Sequence, residues 1–151
     1  AEPGEPLSLT TSMAALNDLP RSLPDRLVPH IRACTDVTGF GFAGHLLDMA
    51  GEDLNVVIDR TTLPLLPGVP EKASMGLVPA GCYRNREAFG LRVEGIDGKE
   101  PLLGDVLFDP QTSGGLLLAV DPTGAADVAA VVAGACRLGY FTEGSGHLVL
   151  D

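Results

Sequence analysis

Tryptophan is absent from this chain of 151 residues, lysine occurs only twice, as Lys72 and Lys99, and aromatic residues make up 5% of the sequence. The eight arginines are dispersed, the nearest pair being Arg84 and Arg86. Nucleic acids and anionic bilayers are gripped by clustered cations, so neither is expected as a partner. Cysteine is scarce and unpaired. Cys34, Cys82 and Cys136 lie far apart and form no CxxC, which argues against a disulfide framework or a zinc knuckle and for a reducing, cytoplasmic setting. All three read as small buried or half-buried thiols. No apolar run approaches the roughly 18 residues of a membrane span. The polar, turn-rich start Ala1-Glu2-Pro3-Gly4-Glu5-Pro6 does not read as a secretory signal.

What the chain has in quantity is apolar residues, 45%, and acid, with a net charge of −10. That composition belongs to a folded domain with a proper core. An acidic protein that handles phosphate needs Mg²⁺ or another cation to neutralise its ligand. Residues 1–10 read as a flexible leader and 11–151 as a single domain. With no initiating Met, the chain is expected to be a piece of something longer.

Short helices are expected over Thr11–Leu19, capped by Thr11 or Ser12 and stopped by Pro20, and over Pro24–His30. Ile31–Val37 reads as a strand. Gly41–Leu54 reads as an amphipathic helix, with Phe42, Leu46, Ala50 and Leu54 on one face and Leu47 beside them. Asn55–Asp59 is a short β-branched strand. Leu63–Gly68 is too proline-rich for a regular element, and Pro70–Met75 suits a brief helix. Leu77–Gly90 reads as loop with helical turns, and Gly90–Pro101 as a surface excursion. Gly115–Val120 is apolar throughout and is expected as a central strand. Pro122–Arg137 is expected as a helix capped by Asp121, apolar nearly all round. Leu138–Phe141 and His147–Leu150 are expected to pair as a hairpin across Glu143–Gly146. The mixture implies an α/β (α+β) domain with a mixed β-sheet layered with helices.

Two Gly-rich loops carry the chemistry, Ala33-Cys34-Thr35-Asp36-Val37-Thr38-Gly39-Phe40-Gly41 and Phe108-Asp109-Pro110-Gln111-Thr112-Ser113-Gly114-Gly115-Leu116. Each sets an acid beside hydroxyls and glycines, and bare amides next to a carboxylate are what a metal–phosphate group needs from a protein. Asp36, at the end of a strand, reads either as a Mg²⁺ ligand or as a helix-capping residue. Thr38 caps the helix or touches phosphate, capping being the simpler role. Gly39 and Gly41 allow close backbone approach, to a ligand or to a neighbouring element. Asp109 reads as a turn former bonding its own backbone, and Thr112–Gly115 either offers amides to an anion or steers the chain into the next strand. His45 is expected to hydrogen-bond a neighbouring loop, while His30 and His147 have no evident partners. Arg84 and Arg86 either reach phosphate or are simply solvated. Neither loop fits the P-loop or the dinucleotide fingerprint. No Ser-His-Asp pattern or base-activated Cys is present, so no catalytic residue is assigned.

ACTDVTGFGFAGHL (33–46) and FDPQTSGGLLLAV (108–120) closely resemble segments in the C-terminal half of selenophosphate synthetase, also called selenide, water dikinase. VPAGCYRN (78–85) is similar to that family's Pro-x-Gly-…-Arg-Asn segment, and SMAALN (12–17) to the helix opening this half. The family belongs to the aminoimidazole ribonucleotide synthetase-like group of two-domain ATP-binding enzymes. The resemblance implies the fold of that C-terminal domain. It also implies ATP-driven phosphorylation of selenide, giving selenophosphate, AMP and phosphate. Cofactors would be Mg²⁺ and ATP as substrate. The Thr-Asp-Val-Thr-Gly motif carries a metal-ligating role to Asp36; Thr38, Gly39 and Gly41 of the same loop are the candidate cofactor-binding residues from the reading of the loop itself. Nothing here corresponds to the N-terminal half, which holds the reactive Cys or selenocysteine, a Lys and most of the metal-binding aspartates. The implied partners are therefore that half of the same enzyme, ATP and selenide, in a full-length homodimer. The isolated chain is expected to be inactive and to bind ATP weakly. The rival readings are another ATP-dependent synthetase or kinase of the superfamily, or a non-catalytic interaction module.

Overall fold

Small or β-branched residues alternate with polar ones along Ile31–Asp36, and this stretch forms strand β1 in the computed structural model, which describes residues 5–96 and 101–151. Ile31, Ala33 and Thr35 turn inward, while Arg32, Cys34 and Asp36 share the exposed face, as a period of two requires. Two helices precede it, α1 (Glu5–Ala14) and α2 (Leu19–Ser22), followed by a 3-10 turn at Asp25–His30. The first helix therefore begins before the expected Thr11. Pro20 does not stop a helix but sits in the first turn of α2, where its missing N–H is no loss.

Helix α3 (Gly41–Ala50) ends four residues earlier than its periodicity suggests, because Gly51 takes φ 67°. Leu54 is consequently not on its stripe and becomes the exposed first residue of β2 (Leu54–Ile58). The buried face of α3 is Ala43, Leu46, Leu47 and Ala50, with Phe42 only partly covered. Beyond β2 come α4 (Val69–Ser74) and α5 (Ala80–Phe89). The second is a full helix where loop was expected. Gly90–Arg92 makes a 3-10 turn into β3 (Val93–Glu94), so part of the expected excursion joins a sheet. Residues 97–100, with Lys99, and residues 1–4 of the expected leader lie outside the described residues.

The chain continues through α6 (Pro101–Leu107), β4 (Leu116–Val120), α7 (Ala125–Val131), β5 (Gly139–Glu143) and β6 (Leu148–Leu150). α7 is shorter than expected and of its apolar residues only Val128 is fully buried; Val132 is extended and Gly134 has φ 76°. Asp121 is not its N-cap, which is Gly124. The Asp121 carboxylate instead accepts from the Thr123 N–H and hydroxyl and from Arg32 at 2.6 Å. Those bonds, the Thr123 hydroxyl first, hold its carboxyl well below the usual range.

Two sheets result. β1 and β4 form an antiparallel ribbon, and β3-β6-β2-β5 form a mixed sheet. β4 is thus not central. β5 and β6 do not make a hairpin, because β2 lies between them, antiparallel to β5 and parallel to β6. Asn55 of β2 fixes the intervening turn, its Oδ1 accepting from the Ser145 and His147 amides at 2.9 and 3.0 Å. The core lies where α3 covers Val56, Ile58, Leu148 and Leu150, closed by Leu107, Phe108 and Leu117. The layered α/β arrangement expected from sequence is what forms.

Candidate functional site

Antiparallel pairing of β1 with β4 sets Asp36 opposite Leu116. The loop leaving β1 and the loop entering β4 therefore emerge side by side at one end of the ribbon. Val37 N–H donates to Gly115 O and Gln111 N–H to Thr38 O, each at 3.0 Å. Gly114 packs directly on the Val37 carbonyl, an approach that any side chain would block. Gly114 thus helps steer the chain into β4.

Asn85, on α5, joins the two loops. Its side chain is 9% exposed, and its Nδ2 group donates to Gly39 O and to Phe108 O, both at 2.9 Å. Nothing in the local sequence singles it out beyond its place in the VPAGCYRN segment, since its partners lie 46 and 23 residues away. Gln111, also unremarked in the sequence, donates through Nε2 to Asp109 Oδ2 at 2.7 Å.

Asp36 is exposed, and among the described residues no hydrogen bond or ion pair holds its carboxylate. It is not a helix cap: α3 is preceded by Phe40, without a side-chain cap bond. Thr38 does not cap either. Its N–H donates to His45 Nε2 at 3.0 Å, and its hydroxyl lies 3.0 Å from the same nitrogen. His45 thereby bonds a neighbouring loop, as expected.

The two glycines of the first loop differ. Gly41 has φ 72°, and a Cβ there would meet the Phe108 carbonyl carbon at 2.9 Å, so the fold itself requires glycine. At Gly39 a Cβ would meet nothing within 4 Å, and φ is not positive. Among the described residues the Gly39 and Phe40 N–H groups donate to no protein acceptor. The fold gives no reason for the bare backbone at Gly39, which suits a ligand approaching from outside. Gly41→Ala should cost more than about 1 kcal/mol of stability, and Gly39→Ala less than about 0.5 kcal/mol, as measured by urea unfolding.

Asp109 does not bond its own backbone through its carboxylate. It accepts from Gln111 and, at 3.5 Å, from the Cys82 thiol. Clefts of about 180 and 130 Å³ flank it, the first lined by Leu9, Met13, Leu66 and Gln111 and the second by Lys72, Val78 and Asp105. Nucleotide-sized ligands need pockets of roughly 300 Å³ or more, so neither cleft holds one by itself. Arg86 lies 3.7 Å from Asp105, and Arg84 is exposed. His30 and His147 do have partners, the Thr123 and Ser145 hydroxyls at 3.4 and 3.1 Å.

Of the cysteines only Cys82 is buried; Cys34 and Cys136 are exposed, unlike the expectation for all three. Burial first, and then the Asp109 charge and hydrogen bond, push the Cys82 thiol up to about 12. Partial desolvation, then Asp36, raises Cys34. Neither thiol is activated as a nucleophile. A disulfide reagent at pH 8 is expected to titrate Cys136 quickly and Cys34 more slowly, and Cys82 only after unfolding. Because the folded pKa of Cys82 lies above its ordinary value of 9.0, its contribution to stability is complete below pH 9 and is lost as pH rises towards 12. Cys82→Ala should flatten that alkaline decline.

A cation would find one ligand here and not a cage, since no group of three His, Cys, Asp or Glu residues is arranged for a metal among the described residues. The exposed oxygens of Asp36 are nonetheless the hard donors Mg²⁺ prefers. Asp36 therefore fits as one ligand of a site shared with other residues.

The chain belongs to the family described as AIR synthase related protein, C-terminal domain, whose profile matches residues 2–151. It is similar to the selenide, water dikinase of Nitratidesulfovibrio vulgaris (strain DSM 19637 / Miyazaki F), 54% identical over 93 residues that cover 61% of this chain and 27% of the relative. It is 46% identical over 116 residues to that of Trichlorobacter lovleyi, covering 76% of this chain and 32% of the relative. It is 43% identical over 120 residues to that of Bordetella bronchiseptica, covering 79% and 33%. The matches thus span between 27% and 33% of these relatives' length.

Proposed function

We propose that the chain is the C-terminal domain of a selenophosphate synthetase, and that Asp36 supplies one carboxylate to a Mg²⁺ whose remaining ligands come from the N-terminal half of the enzyme. The single observation that carries this reading is the exposed Asp36 carboxylate beside the Gly39 and Phe40 amides, none of which has a partner among the described residues. The bound cation would neutralise phosphate charge during transfer. Asp36 holds it from the end of a strand, so its position is fixed by the β1–β4 ladder. The Gly39 and Phe40 N–H groups meet phosphate oxygens at the start of α3, where the helix dipole favours an anion. Thr38 and Gly41 shape the loop, Thr38 through His45 and Gly41 by its contact with Phe108. Asn85 keeps the second loop in register with the first.

On this reading ATP, selenide and water yield selenophosphate, AMP and phosphate in the cytoplasm, in a full-length enzyme that is a homodimer. No described helix is long and apolar enough to cross a membrane. The test is ³¹P NMR with Mg-ATP and selenide. The full-length gene product should form selenophosphate, and this 151-residue chain alone should not. Calorimetry of the chain with Mg-ATP should show no micromolar binding. Micromolar binding or turnover by the chain alone contradicts the shared site.

A further inference from the structure

We propose that His45 is a positioning residue for the Asp36–Gly41 loop and that it acts as the Nδ1–H imidazole tautomer, with Nε2 as the acceptor that holds Thr38. This rests on the reading that the loop carries the cation ligand. A backbone N–H can only donate, and the Thr38 N–H points at His45 Nε2 from 3.0 Å. Nε2 must then offer its lone pair, which leaves the ring proton on Nδ1. The Thr38 hydroxyl lies 3.0 Å from the same atom. A ring carrying its proton on Nε2 would turn to that hydroxyl and leave the Thr38 amide without an acceptor.

Thr38 is the residue on which both loops converge. Its carbonyl accepts from Gly41 N–H, which opens α3, and from Gln111 N–H of the second loop, each at 3.0 Å. It stands two residues after Asp36 and directly before Gly39. The ring that fixes it comes from within α3, is 9% exposed, and is backed by Phe40 with ring centroids 5.8 Å apart. Phe40 in turn meets Phe89 of α5 edge-on at 6.0 Å. The helix thus reaches back by its own buried side chain to hold an amide of the loop that precedes it. Losing that acceptor frees Thr38 and loosens Asp36 and Gly39 together.

Three measurements test this. In ¹H–¹⁵N correlation spectra of this chain, His45 should show a protonated Nδ1 and a bare Nε2; the opposite pattern overturns the proposal. In the full-length enzyme, His45→Leu should lower kcat by about 10- to 100-fold, with a much smaller change in KM for ATP. His45→Gln, whose Oε1 can accept from the same amide, should restore kcat to within about threefold of the original enzyme. Unchanged kcat in His45→Leu overturns the proposal, as does a Gln variant that melts normally but is as slow as Leu. Asp36→Asn serves as the separate control. If that variant is inactive while His45→Leu is not, the positioning role fails alone. If it is active, the shared-cation reading fails, and the tautomer result stands or falls independently.

Discussion

Asp36→Asn in the full-length enzyme is expected to lower turnover at least about 100-fold while leaving stability unchanged to within about 0.5 kcal/mol. Asn keeps the shape and one oxygen of Asp but loses the negative charge that a hard cation requires. The fold does not need that charge, because the carboxylate is exposed and bonds nothing among the described residues. The backbone of residue 36 stays in the ladder opposite Leu116 with either side chain. Activity and melting temperature should therefore separate, and the Mg²⁺ concentration giving half-maximal rate should rise. Near-normal turnover in Asp36→Asn would remove the metal role. A large loss of melting temperature would instead make the residue structural.

Asn85→Ala should instead lower stability. The substitution removes two 2.9 Å hydrogen bonds from a buried side chain. The Phe108 carbonyl is enclosed, with Phe108 itself fully buried, and it loses a donor that water cannot readily replace. The Gly39 carbonyl sits at an exposed residue and recovers a solvent partner. One unsatisfied buried acceptor plus one exchanged bond amounts to roughly 2–3 kcal/mol, or a fall of roughly 4–12 °C in melting temperature for a chain of this size. Asn85→Asp should be worse, because a carboxylate oxygen would face both carbonyls. A melting temperature unchanged in Asn85→Ala, by scanning calorimetry or circular dichroism, would show that the two loops are held together without it.

The parts of the fold that depend on near neighbours in sequence were legible in the residues. β1 follows from the alternation of Ile31, Ala33 and Thr35 with polar residues, and α3 from the spacing of Leu46 and Ala50. Pairings set by distant residues were not. β5 and β6 look like a hairpin because the turn between them is rich in glycine, yet each prefers an edge of β2, over 80 residues upstream. α5 carries little apolar signal, since only Cys82 and Asn85 are buried along it, so its periodicity does not reveal a helix. The end of α7 is set by the extended Val132, in a stretch whose composition is still helical.

The site divides the same way. The two loops stand out as sequence, and His45 was expected to bond a neighbouring loop. The difference between Gly39 and Gly41 emerges only in three dimensions, because it rests on Phe108 lying against one and open space beside the other. Thr38 looked like a cap because hydroxyls commonly precede helices. A histidine seven residues later takes its amide instead. Asn85 was hidden because a polar residue in a polar helix normally faces water.

The central claim is that Asp36 ligates a divalent cation presented by the rest of the enzyme together with the nucleotide. The most direct measurement is a crystal structure of the full-length enzyme with Mn²⁺ and a non-hydrolysable ATP analogue, its cations located by anomalous scattering. The claim predicts an Asp36 carboxylate oxygen about 2.0–2.3 Å from one of them. Cations ligated wholly by the other half, with the Asp36 side chain turned away from every one, would contradict it.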